Sequence, residues 1–290
     1  MYKNAQELLE LCHKSGKRAW EIALEAEIKL TGLSQEKLLA HFDSRLQIME
    51  GSANKALLHR QATKGGLIDG VANCQYEYSK KDDSITGGYI NYIMALAYSS
   101  SEVNASMGKI CASPTAGSCG ILPAVLVGMM HHEKVSREKV IQALVLASAV
   151  GAIFTRNATV AGADGGCQAE CGVASSMAAA AAAYIKGADD VSCFNAAGFA
   201  MMNVLGLVCD PVAGLVALPC AQRNASGAVN AMIAADMALA GQVSHIPFDQ
   251  VVDAMFKVGK MLPPQLRETA KGGLAATPAG KAIYKEIFGV

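Results

Sequence analysis

Apolar residues recur along the chain at the spacing of an amphipathic helix. Between residues 34 and 57 the apolar positions are three or four residues apart, which places them on one helix face. They are Leu38, Phe42, Leu46, Met49, Ala53 and Leu57. Ser34 is a suitable N-cap for this helix, and Gly32 separates it from a helix over 18–30. The strict apolar–polar alternation of a half-buried strand is absent from the sequence.

Similar patterns predict helices along most of the chain, separated by glycine-rich breaks. The other predicted helices are 5–11, 89–100, 121–132, 137–152, 167–186, 190–205, 222–242, 249–260 and 278–288. The last begins with Thr277 as N-cap and Pro278 at the first helical position. Residues 175–183 are nearly all alanine and serine, so helix 167–186 is predicted to pack closely at the centre of the fold. The predicted fold class is all-α, one large helical domain whose Gly/Pro/Cys-rich loops form the site.

Within residues 1–290 the pattern distinguishes three parts. Residues 1–60 form a helical N-terminal part, 61–88 an irregular segment, and 89–290 a helical core. The segment 61–88 holds several glycines, the charge run Lys80-Lys81-Asp82-Asp83 and little periodicity. A linker and a functional loop with short helices both fit it. The functional loop is favoured, because loops of this length in compact domains usually serve a function.

Composition narrows the class of protein. The chain has 25 basic and 25 acidic residues, which argues against a nucleic-acid-binding surface or a basic membrane-binding patch. A mean hydropathy of +0.26 suggests either a membrane protein or a large apolar interface. The longest apolar run, Val140–Phe154, is shorter than the roughly 20 residues of a spanning helix. No signal peptide is visible, so a cytoplasmic protein with a large hydrophobic interface is expected.

Nine cysteines occupy positions 12, 74, 111, 119, 167, 171, 193, 209 and 220. Their odd number in a chain without secretory features argues against a disulfide framework. The sequence has no CxxC pair, so neither a zinc ribbon nor a ferredoxin-type run is indicated. The cysteines could be buried core thiols or metal ligands, and both roles remain open.

Three breaks combine small, polar and thiol residues. The loop 113–120 carries Ser113, Thr115 and Ser118 just before a helix, where hydroxyls and free N–H groups suit an anion. An ordinary capped turn fits it equally well. In 162–172, Cys167 falls near a helix start, where the helix dipole would lower the pKa of a thiol. Cys171 follows one helical turn later on the same face.

The third break, 209–224, places Cys209 and Cys220 on either side of a loop stiffened by prolines, followed by Arg223 and Asn224. Arg223 suits a carboxylate, and a structural salt bridge is its alternative. Together with Cys167, these cysteines are three loop thiols that could hold a 4Fe–4S cluster with one iron open to substrate. Spacing alone does not select this triple, because nine cysteines allow many.

These loops resemble those of the α subunit of bacterial iron–sulfur L-serine dehydratase. The matching blocks are Glu102–Gly108, Ser113–Ala124, Gly165–Glu170, Cys209–Leu215, Pro219-Cys220 with Arg223-Asn224-Ala225, Ala231–Leu239, and Arg267-Glu268-Thr269 with Gly272–Ala275. The likeness covers most of the chain and is strongest from residue 102 onward. It implies an all-helical catalytic domain with a 4Fe–4S cluster on Cys167, Cys209 and Cys220. It also implies conversion of L-serine to pyruvate and ammonia without pyridoxal phosphate, an open iron acting as Lewis acid, and a separate β subunit.

The resemblance also directs attention to residues that would contact L-serine. Six candidates are Ser113, Thr115, Ser118, Asn157, Arg223 and Asn224. The first three would hydrogen-bond the substrate, and the Arg-Asn pair would hold its carboxylate or brace the cluster loop. No general base is identified. Two other functions remain open: an iron–sulfur lyase acting on L-cysteine or L-threonine, and a non-catalytic helical subunit with structural thiols.

Overall fold

The computed structural model describes residues 2–289, and within this range the chain forms thirteen α-helices and no strand. They are α1 (Ala5–Ser15), α2 (Ala19–Thr31), α3 (Gln35–Leu58), α4 (Val71–Ser79), α5 (Gly87–Ala105), α6 (Ile121–His132), α7 (Arg137–Asn157), α8 (Gly162–Gly165), α9 (Val173–Ile185), α10 (Asp190–Met202), α11 (Cys220–Leu239), α12 (Phe248–Met261) and α13 (Pro278–Phe288). The predicted all-α class is confirmed.

Helix boundaries follow local signals in the sequence. The Ser34 side chain accepts a hydrogen bond from the Lys37 N–H at the start of α3. The Thr277 hydroxyl does the same for the Gly280 N–H at the start of α13. Gly32 ends α2 with a φ of 69°, a conformation that costs glycine little. Each cap satisfies a backbone group that the helix itself leaves unpaired.

Helix α9 lies at the centre of the fold, as its small residues predict. Every residue from Val173 to Tyr184 is buried, and the helix packs against α6, α7, α10 and α11. The approach of α11 is close: the Ser175 hydroxyl donates to the Gly227 carbonyl at 2.9 Å. A Cβ at Gly227 would lie 2.6 Å from Ile121 Cδ1, so this contact requires glycine. The tight packing gives the loops at the end of α9 a rigid base.

The segment 61–88, predicted to be irregular, contains helix α4. A carboxylate distant in sequence organises it. Glu102, fully buried on α5, accepts hydrogen bonds from the Ala72 N–H at 2.7 Å and the Gln61 N–H at 3.3 Å. The hydrogen bond from the Ala72 N–H caps the N-terminus of α4, where the helix dipole also stabilises a negative charge. The helix is therefore stabilised by α5 rather than by its own periodicity.

Helix α7 is the one helix among residues 2–289 that is long and apolar enough to cross a membrane by length and composition. It packs against α9 and α2, and much of its length, including Val140 and Phe154, is buried in the core. A buried core helix passes the same test. The observed helix is also five residues longer than the predicted 137–152, ending at Asn157.

Candidate functional site

Three different local structures present the cysteines singled out by the sequence. Cys167 directly precedes a short π-helix, Gln168–Gly172, that leads into α9. Cys209 lies in an extended segment paired with residues 266–268, its N–H donating to the Leu266 carbonyl and its carbonyl accepting from the Glu268 N–H, both at 2.8 Å. Cys220 is the first residue of α11. Each thiol is thus held at the end of an ordered element.

The three thiols share one electrostatic neighbourhood. Burial raises the pKa of Cys209, and the negative charges of Glu170 and Cys167 raise it further. Burial raises the pKa of Cys220 to about 12, again with contributions from Cys167 and Glu170. Cys167 and Cys209 are buried, and Cys220 is partly exposed. The fold therefore brings residues 42 and 53 positions apart in sequence into one electrostatic neighbourhood.

Cys167 differs from the other two thiols, since its pKa is lowered. The first cause is a hydrogen bond from the Cys171 thiol, and the positive charge of Arg223 adds to it. The pKa of Cys171 is correspondingly raised well above its usual value. The lowered pKa of Cys167 agrees in direction with the sequence expectation, but its first cause is the neighbouring thiol rather than the helix dipole.

Arg223 braces the cysteine loop. Its Nη1 donates to the Val208 carbonyl at 2.7 Å, and its Nη2 lies 2.8 Å from Oδ1 of the buried Asp210. The other Asp210 oxygen accepts the Leu274 N–H at 2.7 Å. These bonds occupy the guanidinium group on the loop that carries Cys209. Of the two roles predicted for Arg223, its contacts support the structural one.

Asn224 joins the loop 113–120 to the first turn of α11, and its side-chain amide is engaged within the protein. Its Oδ1 accepts the Gly120 N–H at 2.8 Å, and its Nδ2 donates to the carbonyls of Gly117 at 2.7 Å and Cys220 at 2.8 Å. The residue is 1% exposed. It therefore fixes the loop 113–120 against the start of α11. Its Oδ1 also occupies the Gly120 N–H at the start of α6, where an anion was predicted to bind.

Within the loop 113–120, Thr115 is the hydroxyl best placed to meet a ligand. Its Oγ1 donates to Glu170 Oε1 at 2.7 Å, and the residue is partly exposed. Ser118 is fully buried and lies 3.2 Å from Thr115 Oγ1 within the loop. Ser113 is also buried, with its hydroxyl 3.4 Å from the Cys111 carbonyl. Contact of either serine with substrate stays a prediction.

Asn157 lies apart from this group. Its Nδ2 donates to the carbonyls of Lys3 at 2.9 Å and Ile153 at 3.0 Å, so its amide points to the N-terminal segment. This contact fastens the end of α7 to the chain start. Asn157 thus has a structural role in the fold, and its predicted contact with substrate is not supported by this placement.

Glu170 is the site residue that sequence reasoning missed. Its Oε2 lies 3.9 Å from Cys209 Sγ, and its Oε1 accepts the Thr115 hydroxyl. Burial raises the pKa of this carboxyl. A Cβ at Gly162 would lie 2.7 Å from Glu170 Oε2, and one at Gly117 would lie 2.9 Å from Oε1, so both glycines make room for it. Its position between two cysteines was a signal, but only the π-helix turns it toward Cys209.

Comparison with known proteins decides the family. A family model described as "Serine dehydratase alpha chain" matches residues 14–275. The chain belongs to this family. It is 45% identical to the L-serine dehydratase alpha chain of Peptoniphilus asaccharolyticus, over 99% of both chains. It is 44% identical to the probable L-serine dehydratase alpha chain of Bacillus subtilis, over 100% of this chain and 96% of that one.

The chain also matches relatives that are longer than it is. L-serine dehydratase 2 of Escherichia coli is 35% identical over 94% of this chain, but the match covers 61% of that protein. The longer relatives therefore contain a region with no counterpart in the chain described here.

The donor chemistry of the site fits the iron–sulfur cluster that the resemblance implies. Among residues 2–289, no three His, Cys, Asp or Glu side chains converge on a single metal ion. A cluster differs from an ion, because each thiolate binds its own iron. A Cβ at Gly162 would lie 3.1 Å from Cys209 Sγ, so the glycine allows the backbone to approach this thiol closely. Three neighbouring thiols, Cys167, Cys209 and Cys220, with Arg223 to offset their negative charge, form a suitable donor set.

Proposed function

We propose that this serine dehydratase alpha chain converts L-serine to pyruvate and ammonia, with a 4Fe–4S cluster bound by Cys167, Cys209 and Cys220. Residues 1–290 would then act as one catalytic iron–sulfur domain that needs no pyridoxal phosphate and works in the cytoplasm. The observation that supports the proposal is that these three thiols, from separate loops, lie close enough to influence one another's pKa. A structural role for buried thiols would not require this proximity.

The bound cluster would supply a Lewis-acidic iron that makes the serine hydroxyl a better leaving group. The chain itself would provide charge balance and orientation. The positive charge of Arg223 adds to the lowered pKa of Cys167 and offsets part of the rise in the pKa of Cys220, which favours the thiolates that iron requires. Asn224 and the Arg223–Asp210 pair hold the two cysteine loops in place. A rigid frame of this kind preserves the orientation of a bound substrate.

Thr115 and Glu170 are the polar pair beside the thiols. Because Glu170 accepts the Thr115 hydroxyl proton at 2.7 Å, Thr115 Oγ1 meets every other partner as an acceptor, as it does the Ser118 hydroxyl 3.2 Å away. The serine ammonium group is a donor of the required kind. We assign Thr115 to substrate binding on this basis and Glu170 to positioning its hydroxyl.

The test is pyruvate formation by protein purified without oxygen, together with its partner chain, using L-serine, L-threonine and L-cysteine as substrates. L-serine should give the highest kcat/KM. The Cys209→Ser variant should lose turnover, while Cys193→Ser, which changes a buried cysteine on α10 away from the site, should retain it. Faster turnover of L-cysteine or L-threonine would reassign the substrate. Equal activity of both cysteine variants would favour structural thiols.

A separate β subunit is the partner we propose. Relatives of the same length bear the name alpha chain, and longer relatives have an additional region beyond the match. A chain resembling that additional region is the candidate. Co-expression with affinity capture of the alpha chain should recover such a chain in fixed stoichiometry. A fully active alpha chain without it would contradict the proposal.

A further inference from the structure

A second cavity lies beside α13, outside the group of thiols. Its volume is about 540 Å³, within the range of small-ligand sites. Four alanines and Thr269 form much of its wall, and Tyr284 lines it from α13. The remaining lining residues are Lys271, Lys281 and Lys285. The cavity thus combines small side chains, which leave room, with three ammonium groups.

The charge of this cavity is not balanced by the protein around it. No Asp or Glu lines it, and among residues 2–289 none of its three lysines forms a salt bridge. Lys281 and Lys285 are one turn apart on α13, so their like charges repel each other. Lys271 adds a third positive charge from a loop. A ligand with several negative charges would relieve this repulsion.

The backbone around the cavity also carries strain. Ala213 and Ala270, which both line it, have φ values of 56° and 55°. Residues with a Cβ rarely adopt this left-handed conformation, and such strain is concentrated at functional sites. Two of the five non-glycine residues with positive φ among residues 2–289 therefore belong to this one cavity.

Asp210 stands between this cavity and the thiols. One oxygen faces the Arg223 guanidinium on the thiol side, and the other accepts the Leu274 N–H from the turn Gly273–Ala276, which forms part of the cavity wall. Asp210 is 3% exposed, so a packed side chain connects the turn at the cavity wall with Arg223. None of the three thiols lines the cavity.

We propose that this cavity binds a small polyanion bearing two or three carboxylate or phosphate groups. Lys271, Lys281 and Lys285 would each contribute up to three N–H donors, and the Tyr284 hydroxyl one more. A multiply charged ligand matches the number of ammonium groups. A ligand held there would rest against the loops that orient Asp210.

Isothermal titration calorimetry on the full-length chain, without serine and at constant ionic strength, tests the proposal. Citrate is the carboxylate probe and pyrophosphate the phosphate probe. Saturable one-site binding of either probe is expected, and the preferred probe identifies the ligand class. The Lys281→Gln/Lys285→Gln variant should weaken binding about tenfold or more. Lys271→Gln is a second variant on a loop, should the helix variant fail to fold, and should also weaken binding.

The matched control is Lys29→Gln/Lys37→Gln, which removes the same charge from exposed positions on α2 and α3. It should bind both probes as the unmodified chain does. Equal weakening in the control would show that binding follows net charge, and the proposal would fail. Absence of saturable binding to both citrate and pyrophosphate would overturn it as well.

Discussion

Asn224 offers a quantitative test of how the site is held together, because one buried amide makes two hydrogen bonds to the loop 113–120 and one to the first turn of its own helix. Replacing it with alanine removes all three and leaves the Gly120 N–H and the Gly117 carbonyl without these partners, whereas the Cys220 carbonyl stays within α11. At about 1 kcal/mol net for each bond, Asn224→Ala should lower the free energy of unfolding by about 3 kcal/mol. Unfolding in urea, monitored by circular dichroism, measures this loss.

Asn230 on the same helix provides the matched control. Its amide makes two hydrogen bonds, one donated to the Ala200 carbonyl and one accepted from Asn203, and it is only partly buried. Asn230→Ala should therefore cost about 1–2 kcal/mol. If Asn224→Ala were no more destabilising than Asn230→Ala, the assignment of Asn224 as the link between the loops would be wrong.

Three further predictions concern stability. Burial raises the pKa of Glu102 above about 4.3, the pKa of glutamate in an unfolded chain. The stability that Glu102 contributes should therefore fall as the pH rises from this value through the pKa in the folded protein. In Glu102→Gln the unfolding temperature should lack this pH dependence, and an unchanged slope would contradict the prediction. Arg223→Met leaves Asp210 buried without its charged partner and should cost about 3 kcal/mol in urea; a loss below about 1 kcal/mol would refute the role of the pair. Gly273→Ala would place a Cβ 2.2 Å from Asp210 Oδ2 and should lower the unfolding temperature far more than Gly241→Ala, which has positive φ but open space; similar shifts would exclude the steric explanation.

Local signals were sufficient for most of the fold. The caps at Ser34 and Thr277, and the small residues of α9, predicted the elements that the structure shows. Short helices were expected within 61–88, but the position of α4 was not predicted because its N-terminus is capped by Glu102, thirty residues away in sequence. The spacing of apolar residues along a short stretch of sequence does not reveal a capping side chain that another helix supplies.

The candidate site shows the same division between local and distant information. The resemblance identified the three cysteines, which lie in one electrostatic neighbourhood of the structure, and their role as cluster ligands stays a prediction. Glu170 was missed because its contact with Thr115 spans 55 residues. Asn224 was predicted either to hold the substrate carboxylate or to brace the cluster loop, and the sequence could not decide because it does not show that Gly120, 104 residues away, uses its Oδ1. Hydrogen bonds between distant loops decide which polar residues remain free.

The most direct test of the central proposal is the iron and acid-labile sulfide content of protein purified without oxygen. About four irons and four sulfides per chain are predicted, together with the visible absorption of a 4Fe–4S cluster. The Cys167→Ser variant should lose most of this content, and Cys193→Ser should keep it. Absence of iron after anaerobic reconstitution with the partner chain, or an equal content in both variants, would contradict the proposed cluster site.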